Sequence, residues 1–213
     1  MPVFPPRPFI HRRSLLLSIA SAPLLGSCAV LPATRATGNA RFAELEASLD
    51  GRLGVSALDT GSGKRLAWRA AERFPMCSTF KAILAGAILE RSVRDNGLLE
   101  RRIRYTAAEL VTYSPITEKH VGAGMPVGEL CAAAVRYSDN TAANLLLTIL
   151  GGPAGLNAYA RQAGDDTFRL DRWETDLNSA IPDDPRDTTT PEAMTNHLFR
   201  LALGTLLPDA QRQ

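Results

Sequence analysis

The chain has 213 residues, of which 45% are hydrophobic and 22% charged, enough apolar material for one substantial core or for two subdomains sharing a cleft. Its formal charge is +2, but Arg7, Arg12 and Arg13 all precede residue 28 in a stretch without acids, so the remainder is close to neutral. That balance excludes a nucleic-acid-binding footprint, and three cysteines are too few for a disulfide-dense scaffold, so the core must come from packing.

Residues 1–36 read as an export segment. Arg12-Arg13 makes a positive start, Leu15-Leu16-Leu17-Ser18-Ile19-Ala20 an apolar run, and Pro23 to Cys28 a small-residue end. Serines and Pro23 break the run well short of the roughly 20 apolar residues that a spanning helix requires, so the reading is export followed by cleavage, not a permanent anchor. Arg12-Arg13-Ser14-Leu15 has the form of a twin-arginine signal, although paired arginines occur in any positive leader. Leu25-Gly26-Ser27-Cys28 is similar to a bacterial lipobox, which would make Cys28 a lipidated N-terminus. The alternative is loss of Cys28 with the leader, by cleavage near Ala33 or Ala36. Either way the destination is the periplasm, the cell envelope or the medium.

Residues 37–69 then read as an N-terminal helix followed by a hairpin. Phe42, Leu45 and Leu49 recur at helical spacing and predict an amphipathic helix. Leu53 to Asp59, the turn cluster Thr60-Gly61-Ser62-Gly63, and Lys64 to Arg69 predict two antiparallel strands. From residue 70 to 213 the pattern is helical. Phe80 to Leu89 is apolar almost all round, the mark of a buried helix; Pro126 opens a helix over Val127 to Tyr137; Thr141 to Leu150 forms another, stopped by Gly151-Gly152.

Three groups of residues carry chemistry. Ser78 and Lys81 lie three apart at the head of the buried helix, on one face and within reach of each other. Ser78 could merely cap that helix. Lys81 argues otherwise, because a cation in the first turn meets the positive end of the helix dipole among apolar neighbours, and both effects favour its neutral form. Such a lysine can take a proton from a serine nucleophile. Ser138-Asp139-Asn140 joins two helices: as caps they need no other role, and Asp139 suits that duty. Functionally, Ser138 can relay a proton and Asn140 can both donate to and accept from a bound amide. The third group is Glu174 with Asn178, four apart, able to grip one water that the carboxylate would activate. Arg172 and Asp187, opposite in charge, close the two ends of the loop between them; a solvated acidic loop without a role is the bland alternative.

Together these motifs, S-x-x-K, S-D-N and the Glu174 loop, resemble those of the class A serine β-lactamases from about Phe42 onward. The resemblance implies an α+β fold, a helical domain packed on an antiparallel sheet. It implies Ser78 as nucleophile, Lys81 or Glu174 as the base of acylation, Ser138 as proton donor to the leaving nitrogen, and Glu174 with Asn178 as the deacylating pair. Tyr113, with Pro115, is similar to the family's gatekeeping tyrosine, and Tyr113, Asn140 and Asn178 would contact a small β-lactam substrate. Asp139, Arg172 and Asp187 would be structural. It implies a monomer without cofactor, and the three histidines, His11, His120 and His197, lack zinc-ligand spacing.

Departures from the family pattern have consequences too. The cysteine that would bridge to Cys131 is replaced by Ala85, and Cys77, beside Ser78, resembles a cysteine that pairs beyond the third motif in some carbapenem-hydrolysing members and stands free in others, especially those of actinobacterial type. None of the lysines, Lys64, Lys81 and Lys119, begins the family's third motif, K-T-G or K-S-G. The expectation is therefore of a chain carrying only the first hairpin of the sheet, and of an inactive fragment. Two other readings stay open: a D,D-peptidase-like penicillin-binding protein, and a non-catalytic exported protein.

Overall fold

The computed structural model describes residues 38–212; the leader, with Cys28, lies outside them. In chain order the helices are α1 (Gly38–Ala47), α2 (Phe80–Arg94), α3 (Val127–Tyr137), α4 (Asn140–Leu150), α5 (Gly152–Gln162), α6 (Pro191–Ala202) and α7 (Asp209–Arg212). The strands are β1 (Val55–Leu58), β2 (Arg65–Trp68), β3 (Phe74–Pro75), β4 (Arg102–Ile103), β5 (Met125–Pro126) and β6 (Thr188–Thr189).

The core is helical. Phe80, Ile83, Leu84 and Ile88 of α2 are fully buried against Leu130 of α3, Leu146 and Leu147 of α4 and Leu156 of α5. Each such side chain contributes about 1.5–3 kcal/mol, which explains why α2 can hide most of its circumference. Arg91 and Arg94 at its C-terminal end face the negative pole of the helix. Asp139 caps α4, accepting from Ala142 N at 2.8 Å, and Gly151, at φ 89°, ends it in the left-handed region. Thr190 caps α6 ahead of Pro191. A β-carbon on Gly86 would lie 2.7 Å from a methyl of Leu201, so α6 rests on α2 where α2 has no side chain.

The predicted hairpin is present, with Val55 opposite Trp68 and Leu58 opposite Arg65. Two expectations need correction. Among the described residues the hairpin is not the sole strand pair: β3 pairs with β6 and β4 with β5, two residues each. The amphipathic helix ends at Ala47, short of Leu49, and buries nothing completely; Leu45 and Leu49 are more than half exposed. Among the described residues its one aromatic contact is Phe42 against Trp68, with ring centres 6.4 Å apart, and Glu46 holds Arg69 at 2.7 Å. The spacing is helical, but the hairpin beside it leaves the leucines uncovered. No described helix is long and apolar enough to cross a membrane.

Candidate active site

Ser78 sits in a short 3-10 turn, Cys77–Thr79, that leads directly into α2. The helix-cap alternative fails: Ser78 makes no capping bond. Its Oγ instead accepts from Lys81 Nζ at 3.1 Å. Lys81 is 2% exposed, and five oxygens crowd its nitrogen. Besides Ser78 Oγ they are Ser138 O at 2.9 Å, Ser138 Oγ at 3.2 Å, Asn140 Oδ1 at 2.6 Å and Glu174 Oε1 at 3.0 Å. An ammonium has three protons to give. The bonds with hydrogen-bonding geometry go to Ser78, Ser138 and Asn140, while Glu174 Oε1 is held by charge, buried without a directed donor. Burial pushes the Lys81 amine below its ordinary pKa, and the neighbouring Glu174 and Asp139 carboxylates work against that shift.

The S-D-N segment does more than supply Ser138. Ser138 adopts a left-handed conformation, φ 56°, that turns both its carbonyl and its hydroxyl toward Lys81. Asp139 is fully buried and accepts four bonds: from Ala142 N, Thr117 Oγ1, Ile116 N and Thr117 N, at 2.8 to 3.0 Å. Asn140 donates through Nδ2 to Thr112 O at 2.8 Å and through its backbone N to Tyr113 O at 3.0 Å. Its amide oxygen also accepts from Lys81, so one lone pair of Oδ1 and the second Nδ2 proton remain for a bound amide. Tyr113 itself projects, 62% exposed, from a loop held by these bonds.

The loop after α5 delivers Glu174. Its Oε2 accepts directly from Asn178 Nδ2 at 2.6 Å across the 3-10 turn Asp176–Ser179. Asn144 of α4 grips the Glu174 backbone from both sides, accepting from its N at 3.0 Å and donating to its O at 2.9 Å. Sequence reasoning missed Asn144, although an asparagine inside the apolar run of α4 is a signal in itself. Arg172 and Asp187 pair at 2.5 Å. Asp187 also accepts from the N–H groups of Asp171 and Arg172, at 2.7 and 3.0 Å, while its carbonyl accepts from Met76 N at 2.9 Å. The pairing Phe74–Thr189 and Pro75–Thr188 then ties the returning loop to the strand just ahead of Ser78.

A cleft of about 440 Å³ opens on this centre, lined by Ser78, Lys81, Ser138, Val135, Met194 and Leu198; Tyr113, Asn140 and Glu174 lie outside that lining. Among the described residues no cluster of His, Cys, Asp and Glu is arranged to hold a metal. Cys77 and Cys131 are both free, and burial pushes the Cys131 thiol up to about 12.

The β-lactamase enzyme family model matches residues 39–213. The carbapenem-hydrolyzing β-lactamase KPC of Klebsiella oxytoca is 55% identical over 206 residues, which cover 96% of this chain and 69% of the relative. Among solved structures, a β-lactamase from Desulfarculus baarsii is 63% identical with a TM-score of 0.80, over 81% of this chain and 64% of that one. A reconstructed ancestral class A β-lactamase is 59% identical with a TM-score of 0.81, over 83% and 68%. The chain thus spans 64–69% of the length of these relatives.

Proposed function

The chain belongs to the class A β-lactamase family, and on that footing we propose that it opens the β-lactam ring of penicillins and cephalosporins through a serine acyl-enzyme and then hydrolyses the ester. One observation carries the reading: Ser78 Oγ, Ser138 Oγ and Glu174 Oε1 all lie within 3.2 Å of a single buried nitrogen. A proton can therefore move from the attacking hydroxyl to the departing ring nitrogen without leaving the cluster.

In this scheme Lys81 is neutral when Ser78 attacks, its extra proton resting on Glu174. Ser78 Oγ bonds to the lactam carbonyl carbon and gives its proton to Lys81. The C–N bond breaks, Ser138 protonates the nitrogen, and Lys81 restores the Ser138 proton. The Ser78 N–H donates to the developing oxyanion. Lys81, neutral again, takes its proton back from Glu174 across 3.0 Å; the restored carboxylate, aligned by Asn178, takes a proton from the water that attacks the ester and passes it to Ser78 Oγ as the C–O bond breaks. Its place beside Lys81 favours a hydrolase over a D,D-peptidase-like protein that stays acylated. The same reading carries a location: an enzyme that destroys cell-envelope antibiotics acts outside the cytoplasm, in keeping with residues 1–36, whether the leader is cleaved or Cys28 is lipidated. The same proposal takes the enzyme to act as a monomer.

The test is to mix benzylpenicillin with the protein and to follow ring opening and the mass of the Ser78 peptide. Glu174→Ala should still acylate but lose about 10²–10⁴ in turnover, leaving a persistent adduct on Ser78. Ser78→Ala should form none. Rapid product release by Glu174→Ala would overturn the role of the loop. Absence of both hydrolysis and adduct in the unmutated protein would overturn the reading itself.

A further inference from the structure

Asn157, in the middle of α5, presents its amide to the backbone of Leu170: Nδ2 donates to Leu170 O at 2.6 Å, and Leu170 N donates to Oδ1 at 2.8 Å. The arrangement repeats that of Asn144 with Glu174, one helix earlier and four loop residues later. Each asparagine offers a carbonyl and an N–H to one residue, as the neighbour in a strand would. Between the two clamps, the N–H groups of Asp171 and Arg172 are fixed by Asp187. The Trp173 ring stands over Gly152 at the corner between α4 and α5, where a β-carbon would come within 3.1 Å of it. The segment from Leu170 to Glu174 is therefore a short rail laid across that corner and pinned at both ends.

We infer that Asn157 is a positioning residue for Glu174, acting through the backbone of residues 170–174 and through no contact with substrate. Leu170 is 1% exposed, so its N–H and C=O have no water to turn to once the amide is gone, and the rail must shift to find other partners. Glu174 tolerates little shift, because its oxygens work at 3.0 Å from Lys81 and 2.6 Å from Asn178. Ser78, Lys81 and Ser138 are carried by the 3-10 turn Cys77–Thr79, by α2 and by the α3–α4 turn, and Asn157 bonds to none of them. Its loss should thus fall on hydrolysis of the ester and much less on its formation.

This inference rests on the function proposed above, and the experiment separates the two. Acylation and deacylation by benzylpenicillin are measured separately, by rapid quench and mass spectrometry. Asn157→Leu should slow deacylation about 10–100-fold, the scale of a misplacement of about 1 Å, with acylation changed only a few-fold and the Ser78 ester accumulating. Asn157→Asp keeps the acceptor for Leu170 N but can donate to Leu170 O only when protonated. Its deacylation, relative to wild type, should begin to recover as the pH is lowered toward the aspartate range of about 4. Because both rate constants are read on the acylated, hence folded, fraction, poor folding of a variant does not obscure their ratio. Equal slowing of both steps with no recovery at low pH would mean that Asn157 only holds the fold, and would overturn the inference. A wild type that hydrolyses benzylpenicillin without acylating Ser78 would overturn the parent reading and this inference with it.

Discussion

A lysine that is 2% exposed loses most of the solvation that stabilises its charge, and Lys81 is tolerated because oxygens replace the water around it. The replacement is incomplete, since burial outweighs the Glu174 and Asp139 carboxylates and leaves its pKa lowered. Folding therefore releases a proton from Lys81 in the window between that lowered value and the ordinary value of about 10.4. Where the unfolded chain binds more protons, stability rises with pH. The comparison that isolates the pair is Lys81→Met/Glu174→Gln, which removes both charges without stranding either. At pH 7 the double variant should match the wild type or exceed it by about 1–4 kcal/mol, and the difference should shrink toward pH 10. Urea denaturation at several pH values measures both, and a difference that grew on the alkaline side would contradict the assignment. Ser78 with Lys81, Ser138 with Asn140, and Glu174 with Asn178 could be picked out in the sequence because each is a short spacing, although Lys81 meets Ser138 and Glu174 only through the fold. Asn144 and Asn157 could not, since each acts on a backbone more than ten residues away: the apolar run of α4 marks Asn144 as unusual without naming its partner, and nothing local marks Asn157.

At the scale of elements, the loop from Asp165 to Thr190 shows how far a charge pair can be from what its sequence suggests. Opposite charges at 172 and 187 imply a surface bridge worth about 0–1 kcal/mol. Asp187, however, is 1% exposed and receives two backbone N–H bonds as well as Arg172. Removing one member of a fully buried pair costs about 3–5 kcal/mol; with the Arg172 side chain 20% exposed, Asp187→Ala should cost somewhat less, about 2–4 kcal/mol. Asp187→Asn, which can still accept both N–H bonds, should lose less stability. Both variants should slow benzylpenicillin turnover. Thermal unfolding alongside steady-state assays checks this, and an Asp187→Ala protein as stable as wild type would sink the argument. Long buried helices such as α2 and α4 are written plainly in apolar runs. The two-residue pairs β3–β6 and β4–β5 are not, because an alternation needs about four residues to be recognised. Nor does the pattern single out α5, whose buried row of Gly152, Leu156 and Ala160 has helical spacing but only one large apolar side chain.

Over the whole molecule, the fold class was legible because the helical core is built from neighbours in sequence, whereas the strand pairing of Phe74 with Thr189 spans more than a hundred residues and follows from packing alone. That packing has a joint at Gly86, where Leu201 of α6 sits astride α2. One end of α2 bears Ser78 and Lys81, and α6 begins just after the loop that bears Glu174 has returned through β6. An alanine at 86 would gain about 1 kcal/mol in helix propensity, but its methyl would meet the Leu201 side chain, and overpacking of this kind costs about 1–3 kcal/mol. Gly86→Ala should therefore be destabilising on balance in urea unfolding, and trimming the partner, as in Gly86→Ala/Leu201→Val, should restore part of the loss; additive losses would deny the contact. Positions 86 and 201 then behave as one inherited character: in a randomised library under antibiotic selection, survivors that gain a side chain at 86 should carry a smaller one at 201, and neither change should spread alone.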